Sequence, residues 1–174
     1  MRDRGLFIGG RELDGSDRRE IRNPATGELV GTFVCAGPDD IDHAVRVGQQ
    51  AQPAWASTPV DERAAVLRRA ADLIDRDADA IGELLTREQG KPHPDSVKEI
   101  RFGAEVFRYY AGLAHVLADE TRATSRPEFS SVVRHAPLGV VAGIVPWNYP
   151  VDLWCWKVAP ALRSEEHTSE LQSR

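Results

Sequence analysis

The run Val140-Val141-Ala142-Gly143-Ile144-Val145 limits the possible fold more than any other stretch of the chain. It is almost continuously apolar, rich in β-branched residues, and bounded by Pro137-Leu138-Gly139 and by Pro146. A run of that length without polar alternation reads as a strand buried on both faces, the condition of a parallel sheet covered by helices. Pro146 has no N–H to give a neighbouring strand and ends the ladder. Trp147, Asn148 and Tyr149 then stand just past the strand's carboxyl end, where open α/β sheets bind ligands. Pro150 suits the first turn of a following helix, Val151 to Ala159, which Pro160 is expected to close.

A chain of 174 residues supports one well-buried core, so one domain is expected. The net charge of -5 gives no basic field for nucleic acid, and no stripe of Lys and Arg stands out. No apolar stretch reaches the length of a membrane span, and Met1-Arg2-Asp3-Arg4 is not followed by an apolar signal region; a cytoplasmic protein is the expectation. Cys35 and Cys155 give no disulfide framework and read as reduced thiols.

Leu6 to Ile8 and Glu28 to Val34 read as strands, with Asn23-Pro24-Ala25-Thr26-Gly27 as a turn between them. Gly37-Pro38-Asp39-Asp40 opens a helix that Gln52-Pro53 should stop. Thr58 is the expected cap of a second helix carrying Leu67, Ala70, Leu73 and Ile74. Asp77 should cap a third, with Ile81, Leu84 and Leu85 inward and Gly90 just past its end. Lys91-Pro92-His93-Pro94 reads as a rigid link. A long fourth helix runs from about Asp95 to Leu117 with Val106, Phe107, Tyr110, Leu113, Ala114 and Leu117 inward. Glu128 to Ala136 is a polar, alternating segment suited to an exposed edge strand.

Several of these strings carry a family resemblance. Val145-Pro-Trp-Asn-Tyr-Pro150 followed by Trp156-Lys-Val-Ala-Pro-Ala-Leu162 resembles the aldehyde dehydrogenase superfamily, and so do Thr86-Arg-Glu-Gln-Gly-Lys-Pro92 and Arg108-Tyr-Tyr-Ala-Gly112. The implied fold is α/β, the N-terminal part of the aldehyde dehydrogenase fold: helices packed on the start of a Rossmann-like parallel sheet, with a projecting β arm. The expected organisation is an N-terminal hairpin and helical part over 1–120, the β arm of an oligomerisation element over 121–137, and the first strand and helix of the dinucleotide-binding sheet over 138–162. After Leu162 the texture changes abruptly. Residues 163–173 resemble a translated sequencing adapter, so 163–174 is read as an artefactual tail outside the fold, and the chain as an incomplete enzyme.

The resemblance implies aldehyde oxidation with NAD or NADP. A cysteine thiolate attacks a small-molecule aldehyde, hydride leaves to the cofactor, and a glutamate general base admits water to the thioester. In that scheme Asn148 donates to the oxyanion. Ile144, Val145, Pro146 and Trp147 line the cofactor cleft, and Tyr149, Asp152, Leu153 and Trp156 face the aldehyde. Lys157 fixes local structure or assists proton movement. The thiolate and the glutamate are not among these residues: Cys155 and Cys35 lack an activating neighbour and read as packed thiols. The chain alone is therefore expected to be inactive, with the strand at Val140 left without neighbours. Asp152 stands where an apolar residue is common in the family. It fits either a substrate with a polar or cationic far end or an exposed acid favoured by the helix dipole. The sequence has no Gly-x-Gly-x-x-Gly, Walker loop, Gly-x-Ser-x-Gly or paired-Cys metal spacing. The β arm implies a homodimer or homotetramer, and His135 within it reads as an interface or surface residue. The choice between hydrolysis and CoA acylation lies with residues further on. The contrasting reading is a non-catalytic interaction module, a subunit partner within a homologous oligomer.

Overall fold

The computed structural model describes residues 2–113, 120–126, 128–134, 136–164 and 167–170. Strands open the chain: β1 (Arg2–Arg4), β2 (Leu6–Ile8), β3 (Arg11–Leu13), β4 (Arg18–Arg22) and β5 (Leu29–Val34). β5 is the middle of a three-stranded sheet, parallel to β1 and antiparallel to β4. β2 and β3 form a separate hairpin. The expected strands are present. β1, β3 and β4 are additional, and their charged sequences hide them from a hydrophobic pattern. The turn before β5 forms as its residues dictate: the Asn23 carboxamide accepts from the Ala25 N–H at 2.9 Å, and Gly27 adopts φ 74°.

Four helices follow: α1 (Pro38–Ala56), α2 (Val60–Arg76), α3 (Ala78–Gln89) and α4 (His93–Gly112). Pro53 does not stop α1. It lies in the last turn, where its missing N–H forfeits one bond, and the Trp55 indole N–H donates to the Leu162 carbonyl at 2.9 Å to hold that turn in place. Thr58 does not cap α2; its hydroxyl donates back to the Ala54 carbonyl of α1 at 3.0 Å. Asp77 sits at the cap of α3, but its carboxylate binds the Arg76 guanidinium instead of the helix N–H groups. Gly90 ends α3 at φ 80°, and a Cβ there would come within 2.8 Å of Pro24. α4 starts two residues earlier than expected, because Pro94 falls in the first turn, where no donor is needed. Ala114, Leu117 and His135 lie outside the described residues.

β6 (Glu120–Arg122) pairs antiparallel with β7 (Ser131–Val133), leaving Phe129 and Val132 exposed. The chain then enters β8 (Val140–Gly143), α5 (Pro150–Arg163) and β9 (His167–Glu170). Three expectations fail here. β8 is shorter than its apolar run and is not buried on both faces: Val140 and Val141 are half-buried and Ala142 is exposed, and past the strand Val145 is covered but Ile144 is 61% exposed. The cause is a narrow sheet, one short partner strand instead of a wide layer. β8 is also not alone, since β9 pairs with it in parallel from Val140↔His167 to Gly143↔Glu170. Backbone ladders make few demands on side chains, so an unpaired edge accepts the extended chain that reaches it. Finally, Pro160 does not close α5. The helix reaches Arg163, a residue assigned to the tail, whose guanidinium donates to the Leu113 carbonyl and is buried.

The core lies among the helices, with α4 at its centre. Ala64, Leu67 and Ala71 of α2, Ala104, Phe107 and Ala111 of α4, and Cys155, Val158 and Ala159 of α5 form one cluster; Ala78, Leu85 and Ile100 form a second, between α3 and α4. Alanines and Gly103 let the axes approach closely. A Cβ on Gly103 would stand 2.7 Å from the Cys155 sulfur. α5, and with it the segment joining it to β8, is thereby seated on α4.

Candidate functional site

The segment Ile144–Asp152 contains most of the predicted site residues, and its backbone is held by three side chains from elsewhere. The Gln89 amide at the end of α3 donates to the Trp147 carbonyl. The Lys91 ammonium donates to the Asn148 carbonyl at 2.9 Å, pairs with Glu99, and lies 3.8 Å from the centre of the Tyr149 ring. Glu99 projects from α4 with its carboxylate fully buried and accepts the Val151 and Asp152 N–H groups at 3.0 and 3.3 Å.

This arrangement completes the first turn of α5. Tyr149 occupies the cap position without a side-chain bond to the turn, and Pro150 has no N–H. The remaining donors belong to Val151, Asp152 and Leu153. Glu99 takes the first two, and the Tyr149 carbonyl takes the third at 3.0 Å. A carboxylate at this end also meets the positive pole of the helix.

Asn148, Trp147 and Tyr149 are exposed, Trp147 at 73%. Pro146 and Ile144 are exposed beside them, whereas Val145 faces inward. Leu153 is half-buried, and Trp156 remains partly exposed with its ring edge-to-face on Tyr110 at 6.0 Å. Asp152 is half-buried, which removes the reading of it as an exposed first-turn acid. Burial, followed by the nearby Glu99 charge, raises its carboxyl above the ordinary 3.8; a Trp156 hydrogen bond and Lys91 oppose the shift. One of its carboxylate oxygens is buried without a hydrogen bond. Lys157 is exposed and lies alongside Gly143 of β8. Cys155 is fully buried against Gly103, as a packed thiol should be. Among the described residues no three His, Cys, Asp or Glu side chains gather as a metal cluster, and no helix is long and apolar enough to cross a membrane.

Gln89, Lys91 and Glu99 were not identified as site residues from the sequence, which made Gln89-Gly90-Lys91-Pro92 a helix end and a link. One signal was present. Ser96, Ile100, Gly103 and Phe107 trace the buried stripe of α4, and Glu99 falls on it. An acid on a buried stripe requires a partner.

What the site offers is an exposed carboxamide on a restrained backbone, apolar rings and edges on the strand side, and a half-buried acid on the helix side. The profile of the aldehyde dehydrogenase family matches residues 12–164. Similar solved structures include an aldehyde dehydrogenase from Brucella melitensis biovar abortus at 31% identity and a TM-score of 0.91, covering 94% of this chain and 34% of that one. A betaine aldehyde dehydrogenase from Staphylococcus aureus in complex with NAD+ is 29% identical with a TM-score of 0.92, covering 98% and 35%. A 3,6-anhydro-L-galactose dehydrogenase in complex with NAP is 26% identical with a TM-score of 0.93, covering 99% and 36%. The chain spans about a third of the length of these relatives.

Proposed function

This chain belongs to the aldehyde dehydrogenase family, and we propose that it is the N-terminal portion of an NAD- or NADP-dependent enzyme that oxidises a small-molecule aldehyde to a carboxylic acid. The observation that carries the reading is Asn148: an exposed carboxamide at the carboxyl end of β8, its own carbonyl fixed by Lys91. A fixed N–H donor aimed at a developing oxyanion lowers a barrier by about 3 kcal/mol. In this reading the Asn148 amide steadies the oxygen of the aldehyde when a thiolate from the rest of the enzyme adds to its carbon. That thiolate is not Cys155, which is fully buried. The 174 residues alone are accordingly expected to be inactive.

The bound dinucleotide supplies the hydride acceptor. Ile144, Pro146 and Trp147 suit its flat rings, being exposed and apolar. Its phosphates are not served by the α5 N-terminus, since Glu99 already occupies the Val151 and Asp152 N–H groups with a negative charge. Asp152 and Trp156 would meet the far end of the aldehyde. The exposed β6–β7 arm suits subunit pairing in a homodimer or homotetramer.

The test begins with the genomic read across codon 162. Continuation into a longer enzyme is expected, and a stop codon after Arg174 would favour the non-catalytic module. In the restored enzyme Asn148→Ala should lower kcat for propanal about 100- to 1000-fold with the KM for the dinucleotide unchanged. A wild-type rate in that variant refutes the assignment.

A further inference from the structure

Catalysis by a donor such as Asn148 depends on where its amide points, and displacement of a catalytic group by about 1 Å can cost about 100-fold in rate. Asn148 is exposed, so packing around its side chain does not set that direction. The backbone sets the point from which that side chain reaches, and the backbone is held on both sides by one buried ion pair. Before α5, the Lys91 ammonium grips the Asn148 carbonyl and covers the Tyr149 ring. Within α5, the Glu99 carboxylate grips the Val151 and Asp152 N–H groups. Lys91 and Glu99 bind each other, with side chains only 13% and 0% exposed, so the two grips form one rigid bracket spanning Asn148.

Resting on the functional reading above, we propose that Lys91 and Glu99 are positioning residues: their buried pair clamps the main chain on either side of Asn148 and so fixes where its carboxamide donates. Charge-assisted bonds are stronger and shorter than neutral ones, which suits them to holding an exposed turn against thermal motion. Beyond the bond between them, both partners reach the same short segment: one Lys91 donor goes to Asn148, and the second Glu99 oxygen goes to the first turn of α5.

The restored full-length enzyme provides two independent readouts. In Lys91→Met and Glu99→Gln, amide exchange at Val151 and Asp152 should quicken at least about tenfold, while Val158 in the interior of α5 keeps its protection. Val158 also reports whether each variant is folded. In Lys91→Met, kcat should fall about 10- to 100-fold with the KM for the dinucleotide unchanged. The same change placed on Asn148→Ala should cost little more, because a residue acting only through Asn148 has nothing left to position. Lys91→Arg, which keeps a donor and a charge, should recover part of the loss. Unchanged exchange at Val151 and Asp152 in both variants overturns the clamp itself. Faster exchange with a kcat loss that adds in full to that of Asn148→Ala overturns positioning in favour of general stability. Faster exchange in the two variants, together with no aldehyde oxidation by the wild-type enzyme, refutes the functional reading, and the positioning role with it, while leaving the bracket as architecture.

Discussion

The two ends of α5 are secured by different forces. From Cys155 onward it is held by close packing: Cys155 sits in the space left by Gly103, Val158 and Ala159 enter the α2–α4 core, and Trp55 and Arg163 tie down the last turn. At its N-terminal end Val151 and Trp154 touch the core but are only partly buried. Glu99, Lys91 and Gln89 hold it by hydrogen bonds to the main chain. In the proposed function, one helix thereby serves both core and chemistry. Packing immobilises side chains by surrounding them, which would bury a catalytic group. Bonds to the main chain immobilise the turn and leave Trp147, Asn148 and Tyr149 exposed.

The comparison breaks most readily at Glu99. Glu99→Ala strands the Lys91 ammonium in a mostly buried position and frees two helix donors, so stability measured by urea denaturation should fall about 3–5 kcal/mol. A loss under 1 kcal/mol would mean that packing holds both ends. At the opposite end, Gly103→Ala drives a Cβ toward the Cys155 sulfur and should cost about 1–3 kcal/mol by the same measurement, with no change in amide exchange at Val151.

A pH titration sharpens the electrostatic half. Asp152 is raised by burial and by Glu99, so the folded state binds its proton more tightly than the unfolded state does. Its contribution is fully present below the ordinary 3.8 and is lost as pH rises through the raised value. The stability of the wild type relative to Asp152→Asn should therefore decline as pH rises from about 4. A flat difference curve would show that neither burial nor Glu99 raises the Asp152 carboxyl.

The smallest effect belongs to the partly exposed Arg108, which bridges Asp72 and Asp75 of α2 with Glu105 of its own helix at 3.1, 2.6 and 3.0 Å. Arg108→Ala should cost under about 1 kcal/mol, and less in added salt, as expected for ion pairs within reach of water. A larger loss would place Arg108 with the buried bracket instead of with the surface.

Local chemistry was legible where a residue's own covalent structure decides the outcome. Gly90 marks the left-handed end of α3, Pro150 the first turn of α5, and Asn23 to Gly27 a turn. Proline was over-read: Pro53 and Pro160 both lie inside helices, because a single lost bond near a helix end is outweighed by anchors such as Trp55 and Arg163 that come from distant sequence. The apolar run at Val140 was correctly a strand, but its burial was not readable, since burial belongs to the neighbours and not to the run.

By itself the sequence determined that the run at Val140 enters a strand, that Asn148 stands beyond it, and that a helix starts at Pro150, for these follow from bonds each residue can or cannot make with its near neighbours. Only the tertiary structure decided that Gln89, Lys91 and Glu99 reach that turn, across separations of 52 to 58 residues. Pairing at such range depends on how α3, α4 and α5 cross, and the crossing is set by the fit of Gly103, the alanines and Cys155, which no spacing along one helix records.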